Sequence, residues 1–227
     1  MIIIGHRGAA SYEPENTLLS IGKAIDLKVN AVEIDVHLTK DNNLVVIHDD
    51  KVDKTTNNKG YVKNFNLSEL KKLDAGKNEK IPTLQEVIDF VKGKIKLIIE
   101  LKGLKTAKPV VRLIEKNKIV KDVYVISFWH DMVKEVKELN KNIKTGVLFV
   151  GHPVNAVNLA KDADADVLVM NYKFISKKLV DDAHKSSLKV FVWNIDDKED
   201  IKPIADLKVD AIGSNKPDII VEYFKKK

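Results

Sequence analysis

Short runs rich in Val and Ile alternate along the chain with segments whose apolar residues recur every three or four positions. The runs are IIIG (2–5), AVEIDV (31–36), LVVIH (44–48), IKLIIEL (95–101), VYVIS (123–127), KTGVLF (144–149), VLVM in the 167–171 region, KVFVW (189–193) and DAIG (210–213). Between most of them lie stretches such as ENTLLSIGKAIDLK, PTLQEVIDFVKG and ISKKLVDDAHKSS, which have the period of amphipathic helices. Strands alternating with helices predict a parallel sheet with helical crossovers. Nine strand candidates are one more than a closed eight-stranded barrel needs. The surplus falls at Asp41-Asn42-Asn43, where about seven residues separate two runs and no crossover helix fits. The pattern therefore predicts an α/β fold, a (β/α)8 TIM barrel with an irregular, antiparallel β-hairpin early in the chain. An open doubly wound sheet is the alternative.

The 227 residues, 44% of them hydrophobic, suffice for one sizeable core. They predict a single domain over 1–227 with a short insertion-like loop at about 50–80. Lys+Arg number 39 and Asp+Glu 33, for a net charge of +6. Most of that charge is Lys interspersed with Glu and Asp along polar faces, which favours a solvated surface over a nucleic-acid groove. The absence of cysteine excludes disulfides, thiolate metal sites and Cys nucleophiles. The opening MIII is too short for a signal segment, and no apolar stretch approaches the ~18–20 residues of a membrane span. A cytoplasmic protein without stable membrane insertion is expected. The lysine-rich end, EYFKKK, reads as a frayed tail.

The polar residues on the strands carry the chemistry. Glu33 and Asp35 are two apart in AVEIDV, so a strand points both carboxylates to one face, with His37 following. Like charges on an apolar strand repel unless something cationic lies between them, and a divalent ion held by oxygen is the economical candidate. A polar strand face open to solvent is the competing reading of a lone Glu-x-Asp pair. The pattern recurs, however, in Glu100 and Lys102 of IIELK, in His48-Asp49 after VVI, and in His6-Arg7 after IIIG. Barrel strands carry active sites at their C-terminal ends. Two imidazoles, three carboxylates and two fixed cations at such ends suit phosphodiester cleavage, which needs a base, an acid and charge on the non-bridging oxygens. Glycosidase chemistry does not need this cationic set, and acyl transfer calls for a Ser or Cys nucleophile.

HRG (6–8), PENT (14–17), EIDVHLTKD (33–41), HDD (48–50), KTTNNKG (54–60), IPTLQE (81–86), IELK (99–102), SF (127–128) and WN (193–194) together resemble the glycerophosphodiester phosphodiesterase family, within the phospholipase C-like phosphodiesterase superfamily. The match runs in order from residue 6 to about 217. The resemblance implies a TIM barrel that hydrolyses glycerophosphodiesters to glycerol 3-phosphate and an alcohol with a divalent cation, Mg²⁺, Ca²⁺ or Mn²⁺. It implies that His6 and His48 are the acid/base pair, that Glu33, Asp35 and Glu100 are the metal carboxylates, and that Arg7 and Lys102 lie near phosphate. Attack by the substrate's glycerol 2-hydroxyl, or directly by water, would use the same residues.

The chain departs from the family pattern at Lys54, where Arg is common before Thr-Thr, and at Asn215, where Asp is common. The segment between His48 and Ile81 is short. Trp193 ends the eighth strand candidate, where an indole could cover the glycerol or simply pack the barrel. Core packing is the reading for Phe128. Helix capping is the simpler reading for Glu15 and Asn16, with contact between Asn16 and the site as the alternative. Asp49 orients a histidine or caps a turn. Surface or core roles are expected for His130, His152 and His184. Two other functions are weighed: a lysophospholipase D-type activity, which would need an apolar ramp of loop residues that the sequence does not display, and a non-catalytic headgroup-binding module, which predicts loss of a histidine or metal carboxylate.

Overall fold

The structure, a computed structural model, describes residues 1–225. In chain order its elements are β1 (Ile2–His6), α1 (Leu18–Asp26), β2 (Ala31–Leu38), β3 (Leu44–Val46), α2 (Leu67–Leu70), α3 (Leu84–Val91), β4 (Lys96–Leu101), α4 (Ala107–Asn117), β5 (Val123–Ser127), α5 (His130–Leu139), β6 (Lys144–Phe149), α6 (Ala156–Asp162), β7 (Val167–Asn171), α7 (Lys177–Lys185), β8 (Lys189–Trp193), α8 (Lys198–Asp206), β9 (Ala211–Ser214) and α9 (Pro217–Lys225). Eight strands pair in parallel in the order β1-β2-β4-β5-β6-β7-β8-β9, and β9 returns to β1, which closes the barrel. The ninth, β3, is antiparallel to β2 through Val36↔Val46 and Leu38↔Leu44. This is the closed barrel with an early hairpin that the strand count predicts, not the open sheet. The hairpin turns at the expected residues: Asn42 adopts φ 60°, and the Thr39 hydroxyl donates to Asp41 while accepting from the Asn43 amide.

Each barrel strand is buried on both faces, so its residues divide by period two between two cores. One set, including Val32, Ile34, Leu97 and Ile99, packs outward against the helices with Ile21, Val87, Ile88 and Val110. The other fills the interior with Ile4, Ala31, Ile98, Ile126, Leu148, Val167, Val169, Phe191 and Ala211. Gly146 leaves space for its interior neighbours: a Cβ there would come within 2.9 Å of Val169 and 3.1 Å of Ile126. Residues 45–81 build a satellite core of Val45, Ile47, Val52, Val62, Leu70, Leu73, Ala75 and Ile81. The segment read as a short loop is thus a packed platform beside the barrel mouth.

Helix starts follow their sequence cues. Thr83 and Glu86 form a reciprocal capping box at α3. Thr17, rather than Glu15 or Asn16, caps α1 by accepting from the Ser20 amide. The tail differs from expectation, since α9 continues to Lys225 and buries Ile219, Ile220 and Val221; Lys226 and Lys227 lie outside the described residues. Among the described residues, no helix is long and apolar enough to cross a membrane.

Candidate active site

Along the inward-facing positions of β1, β2 and β4 the residues change from apolar at the base to polar at the C-terminal end: Ile4 to His6, Ala31 to Glu33 and Asp35, and Ile98 to Glu100. Parallel register then sets His6 beside Glu33 and Asp35 beside Glu100. One oxygen from each of Glu33, Asp35 and Glu100 lies within 4.8 Å of the others, and all three residues are buried. Glu33 Oε1 and Asp35 Oδ1 have no hydrogen-bond partner among the described residues, and Glu100 Oε1 meets the Lys102 ammonium at 3.2 Å. Burial, then the charges of Asp35 and Glu100, push the Glu33 carboxyl well above the usual carboxylate range. Burial, then Asp35, push Glu100 up to about 7. Carboxylate oxygens that converge in a dry site fit a hard divalent cation, whose ligands lie at ~2.0–2.6 Å. The sequence-predicted ligand set is therefore brought together.

The cations are held between these groups. Arg7 leaves β1 with φ 51°, its amide donating to Glu33 Oε2 at 3.2 Å. Its guanidinium donates to Glu15 Oε1 at 2.9 Å and lies 3.3 Å from Asp35 Oδ2. Gly8 then takes φ 86° with its Cα against α1, where a Cβ would sit 2.4 Å from Ser20 Oγ. Asn16, φ 61°, donates from Nδ2 to Asp35 Oδ2 at 2.9 Å. Glu15 and Asn16 thus orient Arg7 and Asp35, which corrects the capping reading. Lys102 Nζ reaches His48 Nε2 at 3.1 Å and lies 5.8 Å from the centroid of the Phe128 ring.

The histidines are fixed from behind by different partners. Asn215 donates from Nδ2 to Asp196 Oδ2 at 2.6 Å, and Asp196 is held in turn by Ser214 Oγ and the Asn215 amide. Asn215 Oδ1 therefore faces His6 Nδ1, at 2.8 Å, so Nδ1 carries the proton and Nε2 keeps its lone pair. Asn194 also abuts Nδ1, at 3.0 Å through the atom placed as nitrogen, while its buried Oδ1 lacks a partner. Exchanging its amide atoms gives Nδ1–H a second acceptor. Burial, then the Arg7 charge, lower the His6 pKa and favour the neutral ring. His48 instead hydrogen-bonds through Nδ1 to Asp49 Oδ1 at 2.5 Å, and its carbonyl meets His37 Nε2 at 3.0 Å.

Across the mouth the wall is apolar. Ile126, Leu148, Val169, Phe191, Phe128 and Trp193 complete a cavity that also contains His6, Arg7, Glu33, His48, Glu100 and Lys102. Phe128 and Trp193 meet edge to face at 6.2 Å, and the indole Nε1 is without a partner among the described residues. Phe128 is largely exposed at the mouth, not core. Outside the cavity, His130 and His152 bond the backbone carbonyls of Leu148 and Phe174, and His184 pairs with Asp210. Sequence reasoning missed Asp196 and Asn194 as partners of this centre; WN at 193–194 was the available signal.

The family model of the glycerophosphoryl diester phosphodiesterase family matches residues 6–219. A glycerophosphodiester phosphodiesterase of Caldanaerobacter subterraneus subsp. tengcongensis is 35% identical over 99% of this chain and 98% of its own length. One from Bacillus altitudinis is 31% identical over 97% and 96%. An Oleispira antarctica phosphodiesterase, solved in complex with the product sn-glycerol-3-phosphate, superposes with a TM-score of 0.94 at 28% identity, covering 99% of this chain and 97% of that one. The chain belongs to the glycerophosphoryl diester phosphodiesterase family.

Proposed function

We propose that this phosphoric diester hydrolase cleaves glycerophosphodiesters to glycerol 3-phosphate and an alcohol, with His6 as general base and His48 as general acid. The observation that carries the reading is the difference between their partners. His6 has a neutral amide on Nδ1 and a free lone pair on Nε2, as a base requires. His48 has the Asp49 carboxylate on Nδ1, and its Nε2 becomes free to carry a proton when the substrate phosphate draws the Lys102 ammonium away from it. His6 Nε2 takes the proton of the attacking hydroxyl, which is water or the substrate's glycerol 2-hydroxyl; in the second case the cyclic phosphate that forms is then opened by water, with the two histidines exchanging roles, to give glycerol 3-phosphate. As the phosphorus–oxygen bond to the leaving alcohol breaks, His48 supplies that oxygen with a proton. Arg7 and Lys102 hold the non-bridging oxygens, and the Trp193 N–H, which has no partner among the described residues, offers a donor to the glycerol or alcohol oxygens.

Glu33, Asp35 and Glu100 would hold a divalent cation, Mg²⁺, Ca²⁺ or Mn²⁺. When bound, it supplies positive charge that polarises a phosphoryl oxygen. A headgroup-binding module without catalysis would lack part of this set, and no member is missing. Incubating the protein with glycerophosphocholine and glycerophosphoethanolamine and detecting glycerol 3-phosphate enzymatically tests the reading. Product is expected with added cation, and its loss in EDTA is expected to be reversed by excess divalent ion. No product from any diester with all three cations would sink the activity, and full turnover in EDTA would remove the metal from it.

A further inference from the structure

The expectation that the loops offer no apolar ramp fails in three dimensions. Val154 is fully exposed, and Leu104, Val150 and Trp129 are 65%, 60% and 52% exposed; Phe128 and Phe174 are exposed too. All six lie on the loops after β4, β5, β6 and β7, which are consecutive neighbours in the barrel. They therefore form one arc at the mouth, continuous through Phe128 with the apolar wall of the cavity. Singly exposed apolar side chains need no explanation, but a contiguous rim of them beside a cavity marks an interaction surface.

The charges on the same loops indicate what covers it. Segments 102–107, 127–130, 149–156 and 171–178 contain no Asp or Glu, although the chain has 33, and they carry Lys105 and Lys173 besides Lys102, Lys177 and Lys178, which pair with Glu100, Asp181 and Asp182. Lys105 has no ion-pair partner among the described residues and sits at φ 65° next to Leu104. Glu13 and Glu15 on the loop after β1 and Asp218 in the first turn of α9 lie across the barrel from this arc, while Asp49, Asp50 and Asp53 follow β3 and Asp200 accepts from the Tyr172 hydroxyl at 2.8 Å. Apolar tips that include a Trp, on neighbouring loops whose charges left unpaired among the described residues are Lys105 and Lys173, match the interface of a bilayer with an anionic surface.

We propose that this arc docks the barrel mouth on an anionic phospholipid surface, with Leu104, Trp129, Val150 and Val154 entering the headgroup boundary and Lys105 and Lys173 meeting lipid phosphates. The catalytic groups then face the membrane from which amphiphilic phosphodiesters would arrive. Docking is independent of turnover and can be measured without it.

Sedimentation with vesicles of phosphatidylcholine alone, or mixed equally with phosphatidylglycerol, tests the proposal. Binding is expected to the mixed vesicles, to weaken in high salt, and to bring quenching of Trp fluorescence by brominated acyl chains. Lys105→Ser and Lys173→Ser should each lower partitioning about fivefold. Trp129→Ser should lower it about tenfold and abolish the quenching. Leu139→Ser, at an exposed leucine ending α5 on the opposite face, should change nothing. Circular dichroism and turnover of water-soluble glycerophosphocholine should be unaltered in all four variants. Absence of binding to the mixed vesicles, equal binding to neutral ones, or equal loss in Leu139→Ser would overturn the proposal. Capture of polyglutamate without vesicle binding would overturn it in favour of an acidic protein partner.

Discussion

His6 and His48 are equivalent as letters, each following a hydrophobic strand, and their surroundings make them different. The neutral amide behind His6 owes its orientation to Asp196, so disturbing that carboxylate should impair the base without removing it. Asp196→Asn is expected to cost about ten- to a hundredfold in kcat, the scale of losing a partner that orients a working histidine. Asn215→Asp would set two carboxylates where a 2.6 Å hydrogen bond now lies. It should be as damaging, and the combined Asp196→Asn/Asn215→Asp enzyme should recover most of the loss, because one carboxylate and one amide again face each other. Additive losses in this double-mutant cycle would show that the pair does not orient His6. Alanine at His6 or His48 should each cost about 10²–10⁴-fold, with unchanged circular dichroism. Arg7→Lys keeps the charge but not the fork that grips Glu15, and turnover should fall at least about tenfold. The residues proposed as acid, base, metal ligands and phosphate partners stood out in the sequence because each is a polar residue within or at the end of a hydrophobic run. Asp196 and Asn194 were not, because their role exists only once β8 and β9 close against β1.

At the scale of elements, period alone located eight parallel strands, and the short span at Asp41–Asn43 identified the hairpin. The platform over residues 45–81 escaped notice because its helical pieces are too short to show periodicity: α2 has 4 residues and a 3₁₀ turn spans Val62–Asn64. Its core supports the chain on both sides of His48. Leu70→Ala, at a fully buried position, should cost about 2–5 kcal/mol. If the platform positions His48, kcat should fall in that variant while glycerol 3-phosphate binding, measured calorimetrically, changes little. Gly8→Ala meets both a positive φ and α1 at 2.4 Å. It should destabilise more than Leu70→Ala per carbon changed, and a melting temperature equal to wild type would mean that the loop after β1 relaxes freely.

For the whole molecule, the buried carboxyls of Glu33 and Glu100 link stability to pH. The Glu100 carboxyl is raised from an ordinary 4.5 to about 7 by burial and Asp35. Between these values the folded chain holds a proton that the unfolded chain has lost, so this group's contribution to stability is present below about 4.5 and is lost as pH rises through 7. Calorimetry in EDTA should show the wild type losing melting temperature relative to Glu100→Gln between pH 5 and 7.5. Excess Mn²⁺ should raise the wild-type midpoint more at pH 7.5 than at 5, and the opposite ranking would mean that the three carboxylates do not share one ion. The barrel also divides its labour by sequence. Every residue proposed as acid, base, metal ligand or phosphate partner lies in the first 102 positions, whereas Ile126, Leu148, Val169, Phe191 and Trp193, from β5–β8, shape the opposite wall. Mutational drift in the later strands can therefore retune which alcohol is released while the reaction itself is left alone. A directed-evolution library restricted to 126, 148, 169 and 191 should yield altered leaving-group preference at nearly constant metal affinity, whereas one built on β1–β4 should yield mostly dead enzymes.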